Sequence, residues 1–180
     1  MVYYIYTDGS VKKNEDGKKV GGYGYVVFDL YGNLIDAYSQ NNIENTTHNR
    51  MELTAILAAL FMYEKRMRIK DQKANIYLYS DSEYALKSLF SWSKDWADND
   101  WHTKSGSEVK NQDLIKNFYD KQWGPYLQNL YDGKRNSWSR FTYKYVKGHD
   151  KSLGNNIADQ LATGELKVED VLKMFWKKDK

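Results

Sequence analysis

Four acidic residues, Asp8, Glu52, Asp81 and Asp159, are widely separated in the chain, yet each sits where a carboxylate can be presented to a cleft. Asp8 closes VYYIYTDGS (Val2 to Ser10), a run of residues that pack well on a pleated surface, with Gly9 punctuating its end. Asp81 follows the alternating ANIYLY (Ala74 to Tyr79) within Ser80-Asp81-Ser82. Glu52 and Asp159 fall in the first turns of two expected helices. Strand ends and helix starts meet at one rim of a sheet, so the four are expected to share a cleft. A rigid sheet fixes such groups in place. Carboxylates brought together repel and raise one another's pKa unless a divalent cation neutralises them. An all-oxygen donor set suits Mg²⁺ or Mn²⁺, not zinc. Alone, Asp8 or Asp81 reads as a cap or turn acid; the constellation is what points to metal chemistry.

The elements that position these acids follow from local patterns. After Ser10 a polar stretch, VKKNEDGKKV, reads as a loop. GGYGYVVFDL (Gly21 to Leu30) and LIDAYSQNN flank Tyr31-Gly32-Asn33 and predict a β-hairpin, completing a three-strand antiparallel meander. Thr46 and Thr47 offer an N-cap for a helix from about His48 to Arg68, whose broad apolar stripe packs it on the sheet. The strand ending at Tyr79 leads into a helix with Ser82 as cap. A short helix and a loop are expected over Trp92 to Asn111. Helical spacing over Gln112 to Tyr131 is interrupted by Gly124-Pro125, which predicts a kink or a split. WSRFTYKYVKGH (Trp138 to His149) reads as the last strand. A helix then starts at Asn156 with Asn155 as cap, and a charged tail follows with a solvated face. Antiparallel strands followed by alternating helix and strand imply a mixed sheet.

The chain has 180 residues, 41% hydrophobic and 28% charged, which fits one globular domain with a real core and excludes a disordered chain. The net charge of +3 does not by itself name a polyanionic partner. With no Cys there is no disulfide and no thiolate metal site. No signal peptide or bilayer-spanning stretch is present, so a cytoplasmic, monomeric protein without membrane or protein partner is expected. Among the 16 Tyr and 6 Trp, most are expected at the core edge; Trp92, Trp96 and Trp101 lie at near-helical spacing and read as core or lid packing. His48 and His102 read as surface residues.

The motifs YTDGS, GGYGYVV, TTHNRMEL, YSDSEY and VKGHDKSLGNNIADQLA, in that order and spacing, resemble type 1 ribonuclease H. The likeness runs from about residue 4 to 162 of a single catalytic domain spanning 1–180, with 163–180 as an extension. It implies an α/β fold, a mixed five-stranded sheet of three antiparallel strands and two parallel additions, flanked by helices. It implies hydrolysis of the RNA strand of RNA–DNA hybrids with two Mg²⁺ (or Mn²⁺) ions, leaving 5′-phosphate and 3′-hydroxyl ends. Two such ions, about 3.5–4 Å apart, clamp the attacking and leaving oxygens in line. Asp8, Glu52, Asp81 and Asp159 match the metal-binding acids of the family, and His149 its mobile catalytic histidine. Asn14, Asn49 and Glu83, together with Glu52, stand where substrate contacts are expected. Only RNA offers a 2′-OH for selection, while phosphate contacts carry no sequence information.

The chain also departs from that pattern. His48 stands where the family often has Asn, Glu83 where it has Gln, and Asn156 where it has Glu. Glu83 is expected to make the site more anionic. Between Trp92 and Asp113, Lys94, Lys104 and Lys110 face Asp95, Asp98, Asp100, Glu108 and Asp113. Relatives carry a basic protrusion there, so electrostatic grip is expected to be weak at this spot. The stretch 117–138 is longer than the family leads one to expect. Two rival readings are another nuclease of the same fold and an inactive nucleic-acid-binding module; the motif order argues against the first, the complete set of acids against the second.

Overall fold

The central strand of the molecule, β1 (Val2–Lys13), has a neighbour on each side, and the four-acid site is built around its middle. The computed structural model describes residues 1–67, 74–133, 140–147 and 152–176. β2 (Lys19–Asp29) and β3 (Leu34–Glu44) extend the sheet antiparallel on one side; β4 (Asn75–Ser80) and β5 (Phe141–Tyr145) extend it parallel on the other. The order is β3-β2-β1-β4-β5, the mixed sheet expected from the sequence.

The expected loop after Ser10 is mostly hairpin: β1 continues to Lys13 and pairs with β2 from Lys19, leaving Asn14 to Lys18 as the turn. The backbone register carries this pairing without an apolar pattern to announce it.

One face of the sheet is covered by α1 (His48–Met62), which continues through a π-turn, Tyr63–Met67. Thr47 caps it by accepting a hydrogen bond from the Arg50 amide. Leu53, Ile56, Ala59 and Leu60 pack on Ile5, Val27, Ile76 and Leu78 in the main core. That core also takes α2 (Glu83–Lys87), the π-turn Ser88–Trp92, α3 (Ser93–Asp98), α4 (Gln112–Phe118) and α5 (Gly124–Tyr131). The helical run ahead of Pro125 is not split. A π-turn, Tyr119–Trp123, precedes it, and the Gly124 amide reaches the Tyr119 carbonyl, so the proline is absorbed by a wider turn. Trp101 is buried in the core, Trp96 packs against it, and Trp92 is more exposed, stacked at a tilt on Trp96.

The other face carries α6 (Leu153–Thr163) over β1 and β2. Its cap is Ser152, which accepts from the Asn155 amide, and not Asn155; the latter is buried within the first turn. α7 (Val168–Trp176) also docks there, with buried Val171 and a Phe28–Phe175 contact, so the tail region is not simply a solvated face. No described helix is long and apolar enough to cross a membrane.

Candidate active site

Asp8 lies on β1 opposite Gly24 of β2, one residue past the last β4 pair at Thr7 and Ser80, and its Oδ1 accepts a hydrogen bond of 2.8 Å from the Gly9 amide. Asp81 follows the end of β4, where the Ser82 amide donates to Ser80 Oγ at 3.1 Å and Ser82 caps α2. Glu52 comes from the second turn of α1. Gly9 allows that helix to approach: a Cβ there would collide with the backbone of Met51 and Glu52. Asp159 comes from α6, whose own close seat depends on Gly154, where a Cβ would meet the Tyr6 ring. Two glycines without side chains thus set the distances between carboxylates that the sequence scatters.

Carboxylate oxygens of Asp8, Glu52 and Asp81 lie within 4.8 Å of one another. All four acids, Asp159 included, line one cleft of about 420 Å³ together with Gly9, Ser10, His48, Ser82, Glu83 and Tyr84. Asp8 and Glu52 are buried, and Glu52 Oε2 has no hydrogen-bond partner among the described residues. Burial is the main force pushing Asp8 up to about 8, with the charges of Asp81 and Asp159 adding to it. Burial likewise pushes Glu52 to about 10, reinforced by Asp8 and Asp81. Such a site must hold protons or a cation. The donors are all oxygen, closely spaced, and one is orphaned, which fits a hard divalent ion.

The remaining sequence candidates divide. Glu83 lines the cleft, but its carboxylate is paired with Lys87 at 2.7 Å, which offsets the extra negative charge expected of it. Asn14 instead holds the β1–β2 turn, its Oδ1 accepting from the Lys18 amide at 2.9 Å, and it is not among the cleft residues. Asn49 is exposed on the first turn of α1, also outside the cleft lining. His149 lies outside the described residues.

His48 is exposed as expected, but it also borders the cleft, its Nε2 3.4 Å from Glu52 Oε1. The spacing of four along a helix was the signal for that contact. Tyr84, Ser10 and Ser82 line the cleft without having been singled out; the Tyr84 hydroxyl accepts from Asn111 Nδ2 at 3.2 Å and ties the rim to the Trp92–Asp113 segment. Among the described residues the His102 ring bonds within its own loop, at the Asp100 carbonyl 2.7 Å away.

The RNase H family model matches residues 2–167. The chain belongs to the RNase H family. A ribonuclease H of Orientia tsutsugamushi (strain Boryong) is 35% identical over 170 residues, covering 94% of this chain and 85% of the relative. One of Hahella chejuensis (strain KCTC 2396) is 34% identical over 164 residues, 88% of each chain. Among solved structures, the RNase H domain of PFV superposes with a TM-score of 0.65 at 22% identity, over 90% of this chain and 92% of that one. LC11-RNase H1, solved in complex with an RNA/DNA hybrid, gives 0.56 at 20% identity, over 94% and 99%. These structures share the fold of this RNase H. Family membership makes the protein an enzyme of the ribonuclease H kind.

Proposed function

We propose that this RNase H is an endonuclease that hydrolyses the RNA strand of RNA–DNA hybrids with little sequence preference, leaving 5′-phosphate and 3′-hydroxyl ends. The observation that carries the reading is the cluster of Asp8, Glu52 and Asp81, within 4.8 Å of one another in an open cleft that Asp159 also lines. Asp8, Glu52 and Asp81 would hold one divalent ion, and Asp8 with Asp159 a second, Mg²⁺ by preference and Mn²⁺ as substitute. When bound, the ions supply charge neutralisation at the attacked phosphate and activate the attacking water.

The protein's own contribution is positional. β1 and β4 hold Asp8 and Asp81 on adjacent strands, while α1 and α6 bring Glu52 and Asp159 to them. Burial of Asp8 and Glu52 excludes water from their inner faces, so their oxygens are directed at whatever cation enters. His149 carries a proton to the departing 3′-oxygen or assists product exit. Asn14, Asn49 and Glu83, with Glu52, contact the RNA strand through its 2′-hydroxyls, which DNA lacks.

The test is gel analysis of an end-labelled hybrid with Mg²⁺ and then Mn²⁺. Cleavage products carrying 5′-phosphate are expected from the wild type and none from Asp8→Asn. Duplex DNA cleaved as well as the hybrid would assign the protein to another nuclease activity, and an inert wild type would leave only binding.

A further inference from the structure

The alternation of β1 places Tyr4, Tyr6 and Asp8 on one face, and that of β4 places Tyr77 and Tyr79 there too, with Asp81 just past the strand's end. The register sets Tyr4 beside Tyr77 and Tyr6 beside Tyr79, and β5 adds Thr142 and Lys144 to the same two rows. Two rows of tyrosines therefore run along the sheet and end on two of the acids in the cleft. On this face α6 lies against β1 and β2 with Gly154 close to the Tyr6 ring, while Tyr77 and Tyr79 are half-buried and Thr142 and Lys144 exposed. The opposite face of the same strands is sealed by Phe90 packed on Phe141 and Tyr143.

Tyr4 and Tyr77 stack at 5.6 Å with 22° between planes, and Tyr6 and Tyr79 at 4.9 Å and 14°. Rings stacked in this way across strands stand up from the sheet and turn their hydroxyls outward. None of those four hydroxyls has a hydrogen-bond partner among the described residues. Lys144 Nζ lies 5.9 Å from the centre of the Tyr77 ring, a cation over an aromatic face that a base could take by displacing it. Arg140, Lys144 and Lys147 lie on or beside β5, while the only acids in these rows are the two at the cleft.

We propose that this open tyrosine face, resting on the hybrid-cleaving role assigned above, binds a single-stranded nucleic-acid tail that leaves the hybrid at the cleft. The occupant is chosen by charge and width. Phenol donors and a lysine suit a phosphodiester chain, and an aromatic face suits an unpaired base. The three strands β1, β4 and β5 span about 10 Å at a spacing of about 4.8 Å, room for one strand and not for a duplex. Cross-strand tyrosine pairs also stabilise a sheet, but that role would leave tail binding untouched.

The experiment compares a blunt hybrid with the same hybrid carrying a tail of about ten unpaired nucleotides on each end in turn. Affinity is read by fluorescence anisotropy on Asp8→Asn without divalent ions, with and without Lys144→Glu or Tyr77→Ser. At least one tail is expected to tighten binding about fivefold or more, an effect of the size that stacking one base supplies. Lys144→Glu, an exposed substitution, is expected to abolish the gain while wild-type protein bearing it cleaves the blunt hybrid at an unchanged rate. The proposal is overturned if no tail adds affinity, if the gain survives both variants, or if sedimentation shows self-association that Lys144→Glu abolishes, which would assign the face to a second copy. Failure to cleave the blunt hybrid in Mg²⁺ would sink the proposed function instead, so the two outcomes are separable.

Discussion

The acidic cleft and the Trp92–Asp113 segment treat charge in opposite ways. In the cleft, like charges are gathered and partly buried with one oxygen left unpartnered. In the segment, opposite charges pair off: Lys94 Nζ meets Asp98 Oδ2, and Asp113 is held by Arg50 of α1, Nη1 to Oδ1 at 2.9 Å. Its remaining lysines, Lys104 and Lys110, stand in a stretch with more acids than bases. The first region therefore carries an electrostatic demand that bound protons or an added cation relieve. The second keeps an excess of acids and has little positive charge to offer a phosphate backbone.

Removing one member of the cluster tests the first half of that contrast most severely. Asp8→Asn is expected to lower the rate of hybrid hydrolysis by at least about 10³-fold, since the residue touches both proposed ion positions. Calorimetric titration with Mg²⁺ should lose its signal in the same variant. Gly9→Ala is expected to follow closely for a different reason. Its methyl group would press on the α1 backbone at Met51 and Glu52, neither of which can move as a side chain could. About 1–3 kcal/mol of stability should be lost, measured by denaturant unfolding, with activity falling as Glu52 is pushed from Asp8.

The pH dependence of the metal-free protein sharpens the same contrast. Asp8 is raised from 3.8 to about 8, and Glu52 from 4.5 to about 10, chiefly by burial and then by neighbouring carboxylates. Both groups hold protons more tightly when folded than when unfolded. Their contribution to stability is therefore complete below the unfolded values and is lost as pH rises through the folded ones. Metal-free protein should melt at progressively lower temperature as pH rises from 5 to about 9, and saturating Mg²⁺ should reverse the fall. Asp8→Asn should flatten the profile. A melting temperature indifferent to pH and to Mg²⁺ would contradict the picture of a cluster under strain.

Much of this arrangement was legible because strand ends and helix caps carry local signals. Asp8 beside Gly9, Asp81 between two serines, and Thr47 before α1 each announce themselves within a few residues. What was hidden depends on distant backbone. The outer half of the first hairpin, Val11 to Val20, has lysines where an apolar pattern would mark a strand, and only the ladder shows it. Gly9 punctuates a strand in sequence, but its function is to admit α1, which no local pattern encodes. The α6 cap was misplaced because Asn155 and Ser152 are both good capping residues and only the helix path chooses between them. Val171 and Phe175, four apart in a charged tail, gave a helical signal too sparse to indicate docking on the second face. Asn14 has a hydrogen-bond role in its own turn, which the resemblance alone could not reveal.

The smallest expected effect lies in the segment without a handle. Binding that releases fewer counterions loses less affinity as salt rises, in proportion to the number of phosphates neutralised. Hybrid binding by Asp8→Asn, measured by anisotropy between low and moderate salt, should show a shallower dependence than in relatives with a basic protrusion. Replacing Lys94 by Ala should change affinity by less than about twofold, because that cation is already committed to Asp98 on an exposed helix turn. Asp98→Ala is the sharper probe: it frees Lys94 without adding a charge. A marked gain in affinity and a steeper salt slope in Asp98→Ala would show that the segment lies along the hybrid and is held silent by its own acids. No change would place the hybrid elsewhere on the surface.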